Sequence, residues 1–181
     1  MQALPNIITA LRLLLVPAVV MALARGQFGL ATIAFVLAGL SDGLDGWLAR
    51  RFGWSSPAGA MLDAVADKLM IVATSVGLVM LGVLPLWLTA VVLLRDMLMV
   101  LGISLYYRIL GGVEIAPLWI GKLHVLVLFA VLSLTLARAA GIEALSPLLP
   151  WLFALAAATA VASFVSYVSQ GLERLRKARQ G

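Results

Sequence analysis

Four aspartates, Asp42, Asp45, Asp63 and Asp67, stand close together in a chain that carries few charges. A charged aspartate in a membrane helix costs about 2.5 to 3.5 kcal/mol, so four of them in apolar surroundings need compensation. A divalent cation would supply that compensation. Carboxylate oxygens suit magnesium, manganese or calcium, and magnesium commonly joins carboxylates to substrate phosphates. The residue types therefore predict a divalent-metal site.

The spacing of these residues predicts two stripes, one on each of two neighbouring helices. Residues three or four positions apart share one face of a helix. The first stripe consists of Asp42, Asp45, Gly46, Ala49 and Arg50. The second consists of Gly59, Asp63 and Asp67. If the two helices are neighbours, the stripes can face each other, and the glycines let a ligand or a second helix approach the backbone closely.

The composition indicates a membrane protein. The chain has 181 residues, of which 64% are hydrophobic and 12% are charged, whereas a soluble domain carries about 25% charged residues. A net charge of +5 is better explained by membrane placement than by nucleic-acid binding, which needs a basic face in water. The absence of cysteine excludes disulfides, thiolate metal sites and a cysteine nucleophile, and a single histidine, His124, excludes a histidine-rich metal site.

The pattern of apolar segments predicts an all-α, polytopic membrane protein with six transmembrane helices in one domain, residues 1–181. A spanning helix needs about 20 apolar residues. Segments of that length lie at roughly 6–24, 28–50, 58–81, 84–110, 117–138 and 147–169, followed by a basic tail at 170–181. Glycine and proline interrupt the sequence between them.

The distribution of lysine and arginine predicts the orientation, because cytoplasmic loops are enriched in these residues. If six helices alternate, one side collects Arg50, Arg51, Arg108, Lys122, Arg174, Arg176, Lys177 and Arg179. The other side has Arg25 and Arg138. Both termini are then cytoplasmic. The aspartates lie at the cytoplasmic ends of the second and third helices, which predicts an active site facing the cytoplasm from the inner membrane.

The eight positions of the two stripes, at these intervals and without a gap, resemble the signature of the CDP-alcohol phosphotransferase family. The six-helix prediction also fits that family. The resemblance implies transfer of a phosphatidyl group from CDP-diacylglycerol to an alcohol, with release of CMP. It further implies two divalent ions, magnesium or manganese, and a homodimer in the lipid bilayer.

The resemblance assigns roles position by position. It implies that Asp42, Asp45, Asp63 and Asp67 are metal ligands, and that Asp67 is also the candidate base. It implies that the CDP part of the donor is held by Asp42, Gly46, Ala49, Arg50 and Gly59. A planar guanidinium such as that of Arg50 suits a diphosphate.

The acceptor alcohol is predicted from positions outside the signature. Similarity to cardiolipin synthases and phosphatidylglycerophosphate synthases makes acceptor-binding candidates of Asn6, Thr9, Arg12, Arg95 and Lys122. Glycerol-3-phosphate would need several cations around its dianionic phosphate. Ile103 stands where phosphatidylglycerophosphate synthases usually carry a second arginine, which favours phosphatidylglycerol as acceptor and cardiolipin as product. Glycerol-3-phosphate remains the alternative, followed by inositol-type acceptors.

Other interpretations remain open at the level of sequence. Aspartates in membrane helices also mark cation pathways, so a small cation transporter is the alternative of another class. Arg12 could extend to the interface, Arg95 could pair with Asp96, and Lys122 could serve topology. His124 and Val125 replace a polar pair usual in both branches, and the sequence favours a packing role for His124.

Overall fold

The computed structural model describes the backbone of residues 3–52, 57–110 and 119–178. Side chains within these segments are described except at 3–11, 42, 44–52, 57–58, 60–61, 106–107, 109–110, 145 and 174–178. The described residues form helices and contain no strand, which confirms the all-α prediction. The predictions that fall on the remaining residues lie outside the described part.

The described helices follow the predicted apolar segments closely. They are α1 at Ala3–Ala24, α2 at Phe28–Phe52, α3 at Pro57–Met80, α4 at Leu86–Leu110, α5 at Trp119–Ala139 and α6 at Leu149–Ala178. A short 3₁₀ helix at Glu143–Leu148 leads into α6. α6 continues into the predicted basic tail, where leucine, glutamate, arginine and lysine are all good helix formers.

Three of the described helices are followed, two residues after their last residue, by a glycine with a positive φ. Gly26, Gly82 and Gly141 have φ of 67°, 70° and 104° and follow α1, α3 and α5. At the first of these ends, the N–H of Gly26 donates to Leu23 O and the N–H of Gln27 donates to Ala22 O. This pair of bonds is the Schellman arrangement, which satisfies the last carbonyls of a helix and favours glycine in the left-handed position.

The helices fall into two compact units. Unit 1 comprises Met1–Leu84 and Leu132–Pro147, and in it α1 packs against α2 and α3. Its core includes Leu23 of α1, Phe35 of α2 and Met70 of α3. A Cβ placed on Gly77 of α3 would lie 2.8 Å from Cδ1 of Leu23, so α1 and α3 approach closely where glycine leaves room.

Unit 2 comprises Pro85–Val131 and Leu148–Gly181, and in it α4 packs against α6. Its core includes Leu88 and Val92 of α4 and Ala156 and Ala160 of α6. An open groove of about 700 Å³ lies along these two helices and is lined by Val91 and by small or apolar residues of α6. The prediction of a single domain over residues 1–181 stays a prediction.

Three segments of the described chain have the length and hydropathy of a membrane-spanning helix. They are Leu86–Leu105, Trp119–Ala139 and Ser146–Glu173, while Arg12–Ala24 and Phe28–Ser41 are shorter apolar stretches. Trp119 and Trp151 are 83% and 78% exposed near the first residues of α5 and α6, as expected of interfacial aromatic residues. Six spans and the orientation of the termini stay predictions.

Candidate functional site

The first predicted stripe lies on the helical backbone of α2. Residues 42–50 are helical, which agrees with the spacing argument for Asp42, Asp45, Gly46, Ala49 and Arg50. The side chains of Asp42, Asp45, Ala49 and Arg50 lie outside the described part of the structure. Whether Asp42 and Asp45 meet the second stripe therefore stays a prediction, and so do the proposed contacts to CDP.

The second stripe lies on the first half of α3. Gly59, Asp63 and Asp67 are spaced by four within an uninterrupted helix, and all three are partly buried. Helical spacing places the two carboxylates on one face at successive turns. Among the described residues no group of three or more metal-binding side chains is assembled. The predicted site needs Asp42 and Asp45 in addition.

Arg12 of α1 forms an ion pair with Asp63 of α3. Nη1 of Arg12 donates to Oδ1 of Asp63 at 2.5 Å, and the arginine side chain is 1% exposed while the aspartate side chain is 34% exposed. Arg12 is thus buried in unit 1 and does not extend to the interface. The structure brings an acceptor-binding candidate together with a metal-ligand candidate. The side chains of Asn6 and Thr9 lie outside the described residues.

Arg95 of α4 makes two hydrogen bonds within unit 2. Nη1 donates to Oδ1 of Asp96 at 2.7 Å, and Nη2 donates to Oγ of Ser163 at 2.5 Å. The pairing with Asp96 was one of the alternatives that the sequence left open. The contact with Ser163 joins α4 to α6 and was not predicted from the sequence.

His124 of α5 is 2% exposed and bonds to Thr159 of α6, with Nδ1 and Oγ1 3.2 Å apart. Its burial agrees with the predicted packing role. Gly121, one turn earlier on α5, lies beside Tyr167 and Ser163, because a Cβ built there would be 3.5 Å and 3.8 Å from their nearest atoms. We call Arg95, Asp96, His124, Thr159 and Ser163 the unit 2 polar cluster.

The α6 members of this cluster were missed by the sequence reasoning, although a signal for them exists. Thr159, Ser163 and Tyr167 are spaced by four in an apolar helix, which puts three polar side chains on one stripe.

Lys122 takes no part in these hydrogen bonds. It is exposed, and its ammonium lies 5.0 Å from the ring centroid of Trp119. That distance is typical of a cation–π interaction.

Sequence comparison relates the chain to a known protein family. Residues 2–165 match the sequence model of the CDP-alcohol phosphatidyltransferase family. The chain is similar to a CMP-forming cardiolipin synthase of Streptomyces coelicolor, with 40% identity over 111 residues, 58% of this chain and 52% of the relative. It is similar to a probable phosphatidylglycerophosphate synthase of Mycobacterium tuberculosis, with 37% identity over 131 residues, 68% of this chain and 61% of the relative.

A third relative is a CDP-diacylglycerol–glycerol-3-phosphate 3-phosphatidyltransferase of Pseudomonas fluorescens, with 44% identity over 79 residues, 42% of this chain and 40% of the relative. The chain therefore spans between about two fifths and three fifths of the length of these curated relatives. Their names include both products considered from the sequence, cardiolipin and phosphatidylglycerophosphate.

Proposed function

Because the chain belongs to the CDP-alcohol phosphatidyltransferase family, we propose that it transfers the phosphatidyl group of CDP-diacylglycerol to an alcohol and releases CMP. The observation that carries this proposal is the complete eight-position motif, from Asp42 to Asp67, inside the matched region. We propose further that the acceptor is phosphatidylglycerol and the product cardiolipin.

The proposed reaction is a substitution at phosphorus. An oxygen of the acceptor hydroxyl bonds to the phosphorus of the phosphatidyl group, and the bond from that phosphorus to the bridging oxygen of CMP breaks. CMP leaves with the electron pair. The hydroxyl proton passes to the carboxylate of Asp67, the proposed base. Catalysis of this kind depends mainly on positioning and on neutralising charge.

The donor set fits a divalent metal. Asp63 and Asp67 offer carboxylates at successive turns of α3. The bond from Arg12 uses Oδ1 of Asp63, and a carboxylate has a second oxygen for another ligand. We propose that two magnesium or manganese ions are held by these side chains together with Asp42 and Asp45. When bound, such ions neutralise charge on the transferred phosphate and on the leaving CMP.

The charge balance of the candidate cations supports phosphatidylglycerol. Glycerol-3-phosphate carries a dianionic phosphate, whereas the phosphodiester of phosphatidylglycerol has one negative charge. Arg12 is paired with Asp63, and Arg95 is paired with Asp96. Two of the cations that a dianion would need are thus already matched by carboxylates, which favours the acceptor with the smaller charge.

The acceptor is tested by comparing products. Purified protein receives labelled CDP-diacylglycerol with either phosphatidylglycerol or glycerol-3-phosphate, with and without magnesium. We expect labelled cardiolipin and stoichiometric CMP with phosphatidylglycerol, and neither product after chelation of the metal. Phosphatidylglycerophosphate as the sole product would replace the proposed acceptor, and no CMP with either alcohol would contradict the transfer itself.

We also propose that the protein is a homodimer in the cytoplasmic membrane with its site facing the cytoplasm. The uneven distribution of lysine and arginine supports this orientation, and the dimer rests on resemblance to the family. Cross-linking in native membranes is expected to give a species of twice the chain mass. A monomer alone under these conditions would contradict the dimer.

A further inference from the structure

Arg12 belongs to the packed face of α1, where a charged residue is unusual. Arg12, Val19 and Leu23 follow one another at intervals of seven and four residues, so they share one face of the helix. All three are buried in unit 1. Charged side chains inside the apolar helices of membrane proteins are rare and usually functional, so the burial of this arginine calls for an explanation.

Two contacts define how α1 lies against α3. Arg12 bonds to Asp63, and Leu23 lies against Gly77. The contacts are eleven residues apart on α1 and fourteen on α3, and their order is the same on both helices, so α1 and α3 run in the same direction. At a rise of 1.5 Å per residue the two contacts are separated by about 17 to 21 Å of helix. The packing of the whole helix therefore carries the guanidinium of Arg12 to Asp63.

The two partners of this ion pair differ in what they can offer to a ligand. The side chain of Arg12 is 1% exposed, whereas that of Asp63 is 34% exposed. The buried guanidinium presents almost no surface to a molecule outside unit 1. The carboxylate is the member of the pair that remains accessible to a ligand.

A hydrogen bond to one oxygen of a carboxylate restrains the whole group. Without a partner, an aspartate side chain exchanges among several rotamers. Arg12 donates to Oδ1 of Asp63, which favours one orientation and leaves the lone pairs of Oδ2 for a cation. The positive charge of the guanidinium acts in the opposite sense, because it repels a divalent ion nearby. Hydrogen-bond partners of metal-ligating carboxylates typically contribute about 10- to 100-fold to metal affinity, so we expect orientation to outweigh repulsion.

We propose that Arg12 is a positioning residue for the metal site: it holds Oδ1 of Asp63 and thereby orients the second oxygen toward a divalent cation. This inference rests on the metal site of the proposed function. It replaces the acceptor contact that the sequence predicted for Arg12, since Arg12 acts through Asp63 and touches neither the acceptor nor the reacting atoms.

Metal binding without any substrate tests the inference. The purified protein in detergent micelles is titrated with Mn²⁺, and the electron paramagnetic resonance signal of the free ion gives the Kd. In Arg12→Gln the side chain is neutral and too short to reach Asp63, so we expect the Kd for Mn²⁺ to rise about tenfold or more. Loss of the guanidinium also removes its repulsion of the ion, which by itself would lower the Kd. An unchanged or lower Kd in Arg12→Gln would therefore overturn the proposal.

Arg12→Lys separates the orientation of the hydrogen bond from charge. Lysine keeps the positive charge next to Asp63 but donates from a single nitrogen on a shorter side chain. We expect a Kd between those of the wild-type and Arg12→Gln proteins. This variant keeps a counter-charge for the buried side of Asp63, so it decides the matter even where Arg12→Gln does not fold, and a wild-type Kd in Arg12→Lys would overturn the proposal.

Gly77→Leu is the control for loss of stability in unit 1. Position 77 lies about 21 Å along α3 from Asp63, and a side chain there overpacks against Leu23. We expect this variant to have a lower Tm and a wild-type Kd for Mn²⁺. A rise in Kd as large as that of Arg12→Gln would mean that the metal site responds only to the stability of unit 1, which would contradict a positioning role.

Kinetics at saturating metal distinguish this role from acceptor binding. In Arg12→Gln we expect excess Mn²⁺ to restore CMP release, with the KM for phosphatidylglycerol unchanged. A raised KM at saturating metal would return Arg12 to the acceptor site and overturn the inference. Wild-type protein that binds no Mn²⁺ would contradict the proposed metal site and the inference together. Binding of Mn²⁺ that depends on Arg12 in a protein that releases no CMP would contradict the proposed transfer and leave the inference intact.

Discussion

At the scale of single residues, the ion pair between Arg12 and Asp63 links folding to the candidate site. Arg12 heads the set of large, fully buried side chains among the described residues. A buried guanidinium needs an anionic partner, because desolvation of an unmatched charge is costly. Asp63 supplies that charge and is also a proposed metal ligand. If this proposal holds, the same carboxylate both pairs with Arg12 inside unit 1 and contributes to the chemistry.

We predict that Asp63→Asn lowers both stability and activity. A neutral amide cannot match the charge of Arg12, so the free energy of unfolding should fall by about 1.5 to 3 kcal/mol, the range for a hydrogen bond to a charged group. Denaturant unfolding in detergent micelles measures this loss, and CMP release measures activity. Unfolding at the wild-type denaturant concentration would show that the pair contributes nothing to stability.

Asp67→Asn is predicted to lower activity with little effect on stability, because Asp67 is the proposed base. Loss of a general base lowers the rate by about 100-fold or more, while the amide keeps the size of the carboxylate. CMP release should be abolished or nearly so, with a smaller change in unfolding free energy than in Asp63→Asn. Full CMP release by the Asp67→Asn protein would refute the assignment of the base.

At the scale of helices, the close approach of α1 and α3 depends on a position without a side chain. Gly77 faces Leu23, with 2.8 Å between a built Cβ and Leu23 Cδ1. We predict that Gly77→Leu destabilises unit 1 by about 1 to 3 kcal/mol, because the added atoms overpack this contact. Thermal unfolding in detergent measures the effect.

Gly102 of α4 provides the matched control. A Cβ built there meets nothing within 4 Å, and Gly102→Leu gives the same gain in helix propensity as Gly77→Leu. The difference between the two variants therefore isolates the steric clash. Equal Tm values would mean that α1 and α3 separate at no cost, contrary to the prediction.

The sequence was sufficient to predict the helices but not which helices pack against each other. Apolar length and breaker residues predict the approximate ends of α1 to α5 and the start of α6, because both are local properties, whereas α6 continues beyond its predicted end to Ala178. The Arg12–Asp63 and Arg95–Ser163 contacts join residues 51 and 68 positions apart. Helical periodicity tells which face a residue occupies but not which helix packs there, so Ser163 and Thr159 emerged only from the structure.

At the scale of the whole molecule, an even number of spans would place both ends of the chain on the same side of the membrane. Three described segments have the length and hydropathy to span it. α3 is not among these three segments, and its first half contains the charged residues Asp63, Asp67 and Lys68. Charges near a helix end can reach the headgroup region, so we retain six spans as the expected topology.

Because the chain has no cysteine, single cysteines introduced one at a time report topology without background. We predict that Gln27→Cys and Ala140→Cys, which follow α1 and α5 and are exposed, react with a membrane-impermeant maleimide on intact cells. Gln180→Cys should react only after permeabilisation, because the lysine and arginine pattern places the tail in the cytoplasm. Labelling of Gln180→Cys on intact cells would reverse the orientation, and labelling of Gln27→Cys and Ala140→Cys from opposite sides would rule out six alternating spans.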